Sequence, residues 1–454
     1  MRLIALAVVL SLLVLTVWRP AWALVLYAVA AADADGFAVQ HLIASSAPEY
    51  QLLTRGAYVL LGLWAAFRLR RPDEELDLRG RQMGLLGAAL GAWVVVVSVA
   101  KGFDLVYALS LLVYTGLPAL LVWLAFGRRP GSRKLFFAFV LLQMLISVGT
   151  IVSPTMEMVD GATYAGAGEA SRGVNLALPT DETLKLAVGR HYGQFHNPNV
   201  LGFYAAVALA CSFALARYHK PWTKLLAGTF LVLGALGWLN SLTRGVILGL
   251  LAAIGLAVLA VWRATDRQQA LVRTLIVTVA AAVGTAIVLF VPASLAYLIP
   301  DAANASVRYR LSGYDNGFAA ITQEPWLGVG PDWDWVQGGI PHFLGLWFAG
   351  QYGILGGVLV MLLCFGMGAI IVVRGIRGAR SGTVSEGRAT LAIGLVLVVW
   401  GIAATNNLAA PVLFWVCLAE AMIITTPSRD PQEASGHSRY TRTRASRIPL
   451  TLRQ

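Results

Sequence analysis

Charge is what this 454-residue chain has least of. Asp, Glu, Lys and Arg together make up 13% of it, against about 25% in a soluble domain. With 58% apolar residues, a chain so poor in charge cannot cover itself in water, which excludes a string of soluble domains. The same apolar excess excludes extended disorder. Cysteine is scarce as well. Cys211, Cys364 and Cys417 are the three present, each inside an apolar run. They neither pair by spacing nor form a metal motif, which leaves them as small core residues. No P-loop and no strand-anchored glycine-rich motif is present, which argues against an ATP-driven transporter.

What the chain does have is long apolar runs. A bilayer crossing needs about 20 mostly apolar residues. Such runs fall at 3–32, 52–67, 83–100, 103–126, 135–153, 200–216, 225–239, 246–262, 274–298, 351–373, 390–405 and 408–425. They predict an all-α, polytopic membrane protein of about twelve transmembrane helices. Arg19-Pro20 interrupts the first run, and because proline removes a helix hydrogen bond that helix is predicted to be broken. The run is too long for the apolar region of a cleavable signal.

The remaining charge is lopsided, with 35 Lys and Arg against 23 Asp and Glu, a net of +12. Short loops rich in Lys and Arg are cytoplasmic. Most of the basic residues fall at Arg2, 68–81, 128–134, 217–224, 263–273, 374–388 and 429–453. These are alternate connections of a twelve-span chain, so both termini are predicted to be cytoplasmic. The +12 thus orients the protein and does not report an acidic partner. Residues 427–454 are Ser- and Arg-rich without periodicity, a basic disordered cytoplasmic tail near anionic headgroups. Residues 1–426 are left as the membrane domain.

Two extracytoplasmic loops, 154–199 and 299–342, each run to about forty residues, too long for turns, and long ordered loops carry function. Short helices are expected in them. The outer face is net acidic, yet Arg190, Arg244, Arg308 and Arg310 stand at span boundaries there. An arginine at a helix centre in hydrocarbon costs about 2.5–3.5 kcal/mol, and a single one at the interface is accounted for by snorkelling. Four around one outer vestibule would attract a multiply charged anion, and guanidinium forks suit phosphate.

The stretch Arg190-His191-Tyr192-Gly193-Gln194-Phe195-His196-Asn197-Pro198-Asn199 runs straight into the apolar segment from Val200. Asn199 sits where an N-cap belongs, and an outward helix N-terminus offers N–H groups to an anion. A turn and a cap explain Asn197 and Asn199, but not the clustering of Arg190, His191 and His196. Further on, His342 opens an apolar stretch. At the outer membrane surface it can be neutral near pH 7 and accept a hydroxyl proton, the alternative being an ordinary interfacial residue. Asp332 and Asp334 are rival bases or metal ligands, although an Asp-x-Asp pair alone carries little.

Taken in order, Arg190…Gly193-x-Phe195-x-Asn197-Pro198-Asn199, Leu242-Thr243-Arg244-Gly245, Arg310…Tyr314…Pro325-x-x-Gly328-x-Gly330 and His342…Gly353-Ile354-Leu355-Gly356 resemble the O-antigen ligase and polymerase superfamily. The resemblance covers about 190–373. It implies a GT-C-like polytopic glycosyltransferase of the bacterial cytoplasmic membrane. Such an enzyme would take a glycan from a polyprenyl (undecaprenyl) diphosphate donor and pass it, with inversion, to an acceptor hydroxyl on the extracytoplasmic side. It implies no cofactor, no metal and no nucleic-acid partner. Arg190, Arg244 and Arg310 match the family's arginines and would hold the diphosphate as charge develops on it. Arg308 lies one alternate face away if its segment is extended. His342 matches the family's histidine and would activate the acceptor. The family commonly has Asn after that histidine and Ser before the second arginine, where this chain has Phe343 and Thr243. Thr243 keeps a hydroxyl. Phe343 removes an amide, and His191 and His196 are the candidates to replace it.

A ligase and a polymerase would share this site and differ in their acceptor groove. A transporter or flippase of lipid-linked glycans is the reading from a different class. It needs ionisable groups in several spans, whereas Glu420 is the one acid well inside a span, Asp104 standing at the outer edge of the run 103–126.

Overall fold

The computed structural model describes residues 78–102, 132–152, 198–216, 220–241, 300–330, 343–405 and 411–426, with single positions outside these stretches. Among the described residues there are helices and turns and no strand. In chain order they are α1 (Leu78–Ala100), α2 (Ser132–Val152), α3 (Pro198–Ala216), α4 (Pro221–Ser241), α5 (Pro300–Gln323), α6 (Leu344–Met361), a π turn (Leu362–Gly366), α7 (Met367–Ser381), α8 (Glu386–Thr405) and α9 (Pro411–Thr425). Helices long and apolar enough to cross a membrane are Leu78–Ala100, Pro221–Leu239, Leu344–Ser381 and Glu386–Ala404, with shorter apolar helices at Val200–Ala216 and Val412–Thr425. Apart from single positions, the crossings expected at 52–67, 103–126, 246–262 and 274–298 lie outside the described residues, as does the tail 427–454. In the first run, Trp18 and Trp22 are helical and Arg19 between them is not. The interruption therefore falls beside Pro20.

Four of the helix starts share a chemical cause. Pro198, Pro221, Pro300 and Pro411 each open a helix, since the missing proline N–H would have no intrahelical acceptor at that position. This moves two expected boundaries, to 221 from 225 and to 411 from 408. It also corrects the cap. Asn199 lies in the first turn of α3 rather than ahead of it, and the preceding residue, Asn197, is outside the described residues.

α3, α8 and α9 form the centre of the bundle, buried along most of their length, whereas the apolar stretches of α1 and α4 are 39% and 28% buried. The outer helices turn Leu85, Val96, Leu225, Leu231 and Val232 outward, so they are apolar on both faces, as hydrocarbon surroundings allow. α3 pairs with α4 and packs on α8, while α2 lies against α3 and α4. Small residues let the backbones close up. A Cβ at Gly234 would lie 2.9 Å from Leu209 Cγ, and one at Gly237 2.8 Å from Met144 Cε. The three cysteines are free and buried in this core, as expected for small core residues. Glu420 is fully buried on α9 and accepts a 3.0 Å bond from Trp123 Nε1.

Several helix ends and the turns beside them are in contact. At one end of the bundle, Gly387 lies beside Tyr218, Val261 clusters with Val384 and Ala389, and Arg374 donates to Thr426 at 3.3 Å. All of these positions belong to connections expected on the cytoplasmic side or to the span ends beside them. Lys101 and Glu324, both expected outside, meet in an ion pair.

Candidate functional site

Within the expected loop 299–342, residues 300–323 form a 24-residue α-helix, α5, rather than short helices. Buried Gly313, Gly317 and Ala320 mark its inner face, and exposed Ser312, Asp315 and Ala319 its outer face. At 100° per residue, Arg310 is seven residues before Gly317 and shares the inner face. Arg308 is seven before Asp315 and falls on the outer face. The alternate-face argument for Arg308 assumed an extended segment. In a helix the two arginines are 200° apart, which separates Arg308 from the inner face.

That inner face meets the segment holding residue 342. A Cβ on Gly317 would lie 2.8 Å from Pro341 Cγ and 2.9 Å from Leu346 Cγ, so only glycine permits this crossing. Arg310 follows the same stripe about 10 Å along the axis. Trp333 Nε1 donates to Asn316 Oδ1 at 2.8 Å, tying the intervening segment back to α5.

α6 corrects the expected span at 351–373. The helical stretch Leu344–Ser381 would measure about 57 Å if straight, nearly twice the thickness of the hydrocarbon. It is not straight. Tyr352 (φ −121°, ψ 16°) and Gly353 (φ 75°, ψ 171°) leave helical geometry, and the chain doubles back. A Cβ on Gly357 would lie 2.7 Å from Ala349 Cβ, and one on Gly345 2.6 Å from Met361 Sδ. Residues 345 and 361 would be about 24 Å apart along a continuous helix. The segment 344–351 is therefore the short arm of a helical hairpin, antiparallel to the helix that follows. Its tip is at 352–353, and Phe343 at the end of the arm reaches Phe365, ring centroids 6.2 Å apart.

The break frees backbone groups at Gly350, Gln351, Tyr352 and Ile354, and each finds a partner. In an unbroken helix the carbonyls of 350, 351 and 352 accept from 354, 355 and 356. Here Val329 N–H donates to Gly350 O at 2.9 Å and Gly330 N–H to Gln351 O at 3.1 Å, while Ile354 N–H turns to Pro325 O at 2.8 Å. Trp93 Nε1 of α1 donates to Tyr352 O at 2.7 Å. The loop Glu324–Gly330 is thus a strap laid over the hairpin tip. Buried backbone polar groups need such partners, which explains why Pro325-x-x-Gly328-x-Gly330 and Gly353-x-x-Gly356 occur together. Gly328 (φ 70°) lies so close to Gln351 that a side chain would collide with its backbone, and a Cβ on Gly353 would strike the Trp326 carbonyl. Gly356 leaves room for the turn at Tyr352, whose Cβ would lie 2.8 Å from a Cβ at 356. The Lys101–Glu324 pair holds the same strap to the end of α1.

Along the seam between α5 and the hairpin runs an apolar slot lined by Ile321, Gly345, Ala349, Ile354, Gly357 and Val358. None of these is ionisable, so the slot is no anion site.

Of the residues singled out from the sequence, Arg308 and Arg310 are placed by the backbone of α5, and Asn199 by that of α3. Arg190, His191, His196, Asn197, Arg244 and His342 lie outside the described residues, as do Asp332 and Asp334. The flanking Pro341 and Phe343 locate the chain around position 342. Among the described residues no three of His, Cys, Asp and Glu gather as a metal site would require. Sequence reasoning missed Trp93, Lys101 and the hairpin tip. A glycine following Tyr352 at the start of an apolar run, and a lone base in a two-residue outer turn, were the available signals.

Residues 229–361 match the family model Wzy_C, O-antigen ligase. No curated protein matches the chain. The matched segment contains Arg244, Arg308, Arg310 and His342, together with the strap and the hairpin tip, and it starts after Arg190. This match agrees with the superfamily resemblance read from the sequence. The chain is a membrane protein with a segment characteristic of glycosyltransferase-like ligases and polymerases of polysaccharide biosynthesis.

Proposed function

We propose that this chain, sharing residues 229–361 with the O-antigen ligase family, transfers a glycan from an undecaprenyl diphosphate-linked donor to an acceptor hydroxyl on the extracytoplasmic face of the bacterial cytoplasmic membrane. Arg190, Arg244 and Arg310 hold the diphosphate. His342 accepts the acceptor hydroxyl's proton as that oxygen attacks the anomeric carbon from the face opposite the leaving diphosphate, giving inversion. The lipid diphosphate departs with the bonding electron pair, and the arginines neutralise the charge that gathers on it, a fixed electrostatic contribution made in a water-poor site. Arg308 adds to the surrounding positive field without sharing the Arg310 face. Asn197, Asn199, His191 and His196 support the donor side from the start of α3.

The observation that carries this reading is the crossing at Gly317. It sets Pro341, next to His342, against the Arg310 face of α5 within the family-matched segment. The hairpin returns this end of its short arm along the following helix, which supports a site recessed beside α5. The test is reconstitution of the purified chain with a synthetic lipid-diphosphate glycan and candidate acceptors, with and without EDTA. A glycosylated acceptor, formed equally with EDTA, is expected. Movement of the donor across the bilayer without transfer would favour a flippase. Inhibition by EDTA would bring Asp332 and Asp334 forward as metal ligands. If the accepted hydroxyl belongs to a second lipid-linked glycan, the enzyme is a polymerase rather than a ligase.

A further inference from the structure

Position 343 departs from the family pattern. Its aromatic ring removes the amide expected beside the histidine, and the structure shows what the ring does instead. Phe343 lies at the end of the hairpin's short arm, 6.2 Å between centroids from Phe365, and Phe365 stacks on Trp400 of α8 at 5.9 Å and 17°. Phe365 sits in the π turn Leu362–Gly366. The indole of Trp400 donates to the Cys364 carbonyl of that turn at 3.1 Å. Gly368 leaves the indole its place, since a Cβ there would lie 2.6 Å from Trp400 Nε1. The three rings are only partly buried, but they form one continuous row from the central helix to the residue after His342. π turns interrupt helices at functional sites more often than elsewhere, and here the turn carries the ring that meets Phe343.

We propose that Phe343, Phe365 and Trp400 form a positioning ladder that fixes the backbone at residue 342, doing for the acceptor-activating histidine what an amide at 343 would do by hydrogen bonding. None of the three touches the reacting atoms. Their effect is to hold the short arm against the π turn so that residue 342 keeps one position relative to Arg310. This inference rests on the glycosyltransferase reading above. It adds that this chain places its histidine by ring contact, so the position tolerates another aromatic but not a small residue.

The test uses the purified full chain in lipid nanodiscs with synthetic undecaprenyl diphosphate glycan, measuring kcat, donor KM and thermal melting for Phe343→Ala, Phe343→Tyr, Trp400→Phe and His342→Ala. Rates are normalised to folded protein. Misplacement by about 1 Å can cost on the order of 100-fold in rate. Phe343→Ala is therefore expected to lower kcat about 10- to 100-fold with donor KM little changed, while Phe343→Tyr restores kcat. Trp400→Phe, which keeps a ring but loses the bond to Cys364 O, should lower kcat less than Phe343→Ala. Should Phe343→Ala fail to fold, the Tyr and Trp400 variants still decide, because a Phe343→Tyr variant as impaired as His342→Ala overturns the ladder. Unchanged kcat in Phe343→Ala beside an inactive His342→Ala overturns the ladder and leaves the site reading intact. An active His342→Ala overturns both.

Discussion

Two glycines with nearly the same φ provide the sharpest test of the strap. Gly353 has φ 75° and Gly382 φ 78°, but their surroundings differ. Gly382 ends α7 in the left-handed region, with nothing within 4 Å of a would-be Cβ. Alanine there meets only the left-handed penalty, about 1–2 kcal/mol. At Gly353 the ψ of 171° puts the residue where essentially only glycine sits, a strain of about 1–3 kcal/mol for others. A methyl would also run into the Trp326 carbonyl. Relief requires the strap to lift, releasing the bonds of Val329, Gly330 and Ile354, each about 1 kcal/mol net. Gly353→Ala should therefore cost about 4–6 kcal/mol, several times the cost of Gly382→Ala. Thermal melting in detergent gives the difference, and hydrogen exchange at the Val329 and Gly330 amides gives its location. Faster exchange at these two amides in Gly353→Ala alone is expected. Matching melts for the two variants, with both amides still protected, would refute the strap.

Two further outcomes separate the roles of single side chains. Arg310→Ala should lower glycan transfer by about 10²–10³-fold, the scale of removing one fixed donor to developing charge. Arg308→Ala, on the outer face of α5, should leave transfer close to wild type, and equal losses would contradict the facial assignment. Glu420→Gln keeps an acceptor for Trp123 Nε1 and should retain both melting temperature and transfer. Glu420→Ala should cost about 1–3 kcal/mol with turnover per folded molecule unchanged. A specific loss of turnover in Glu420→Gln would point instead to ion-coupled movement of the substrate.

Much of the architecture is legible in the chain because a bilayer imposes a length rule. Apolar runs at 83–100, 135–153, 200–216 and 390–405 each became a helix whose ends shifted by a few residues. Those shifts came from proline, as at Pro198, or from helix continuing into the polar interface, as at Leu78–Gln82. Contacts such as Lys101 with Glu324 and Arg374 with Thr426 join positions that the charge alternation assigns to one side. The hairpin was not legible. Residues 344–373 are almost uniformly apolar, and hydropathy records burial, not direction, so a chain that doubles back at Gly353 scores like one that runs on. α5 was missed for the opposite reason. Its polar, loop-like composition hides an amphipathic helix whose inner stripe is built mostly from Gly313, Gly317 and Ala320. At the site, the order of arginines and histidine pointed to the family, while the separation of Arg308 from Arg310 needed the helix. The partners of the strap, Trp93 above all, are remote in sequence and carry no local pattern.

The most direct test of the central claim is transfer activity of Arg244→Ala and His342→Ala beside wild type. It should be measured with a polyprenyl diphosphate-linked glycan donor and a hydroxyl acceptor at equal levels of membrane-inserted protein. Each variant is expected to insert and express normally and to form no detectable product. Full activity in both would contradict the site proposed for this chain.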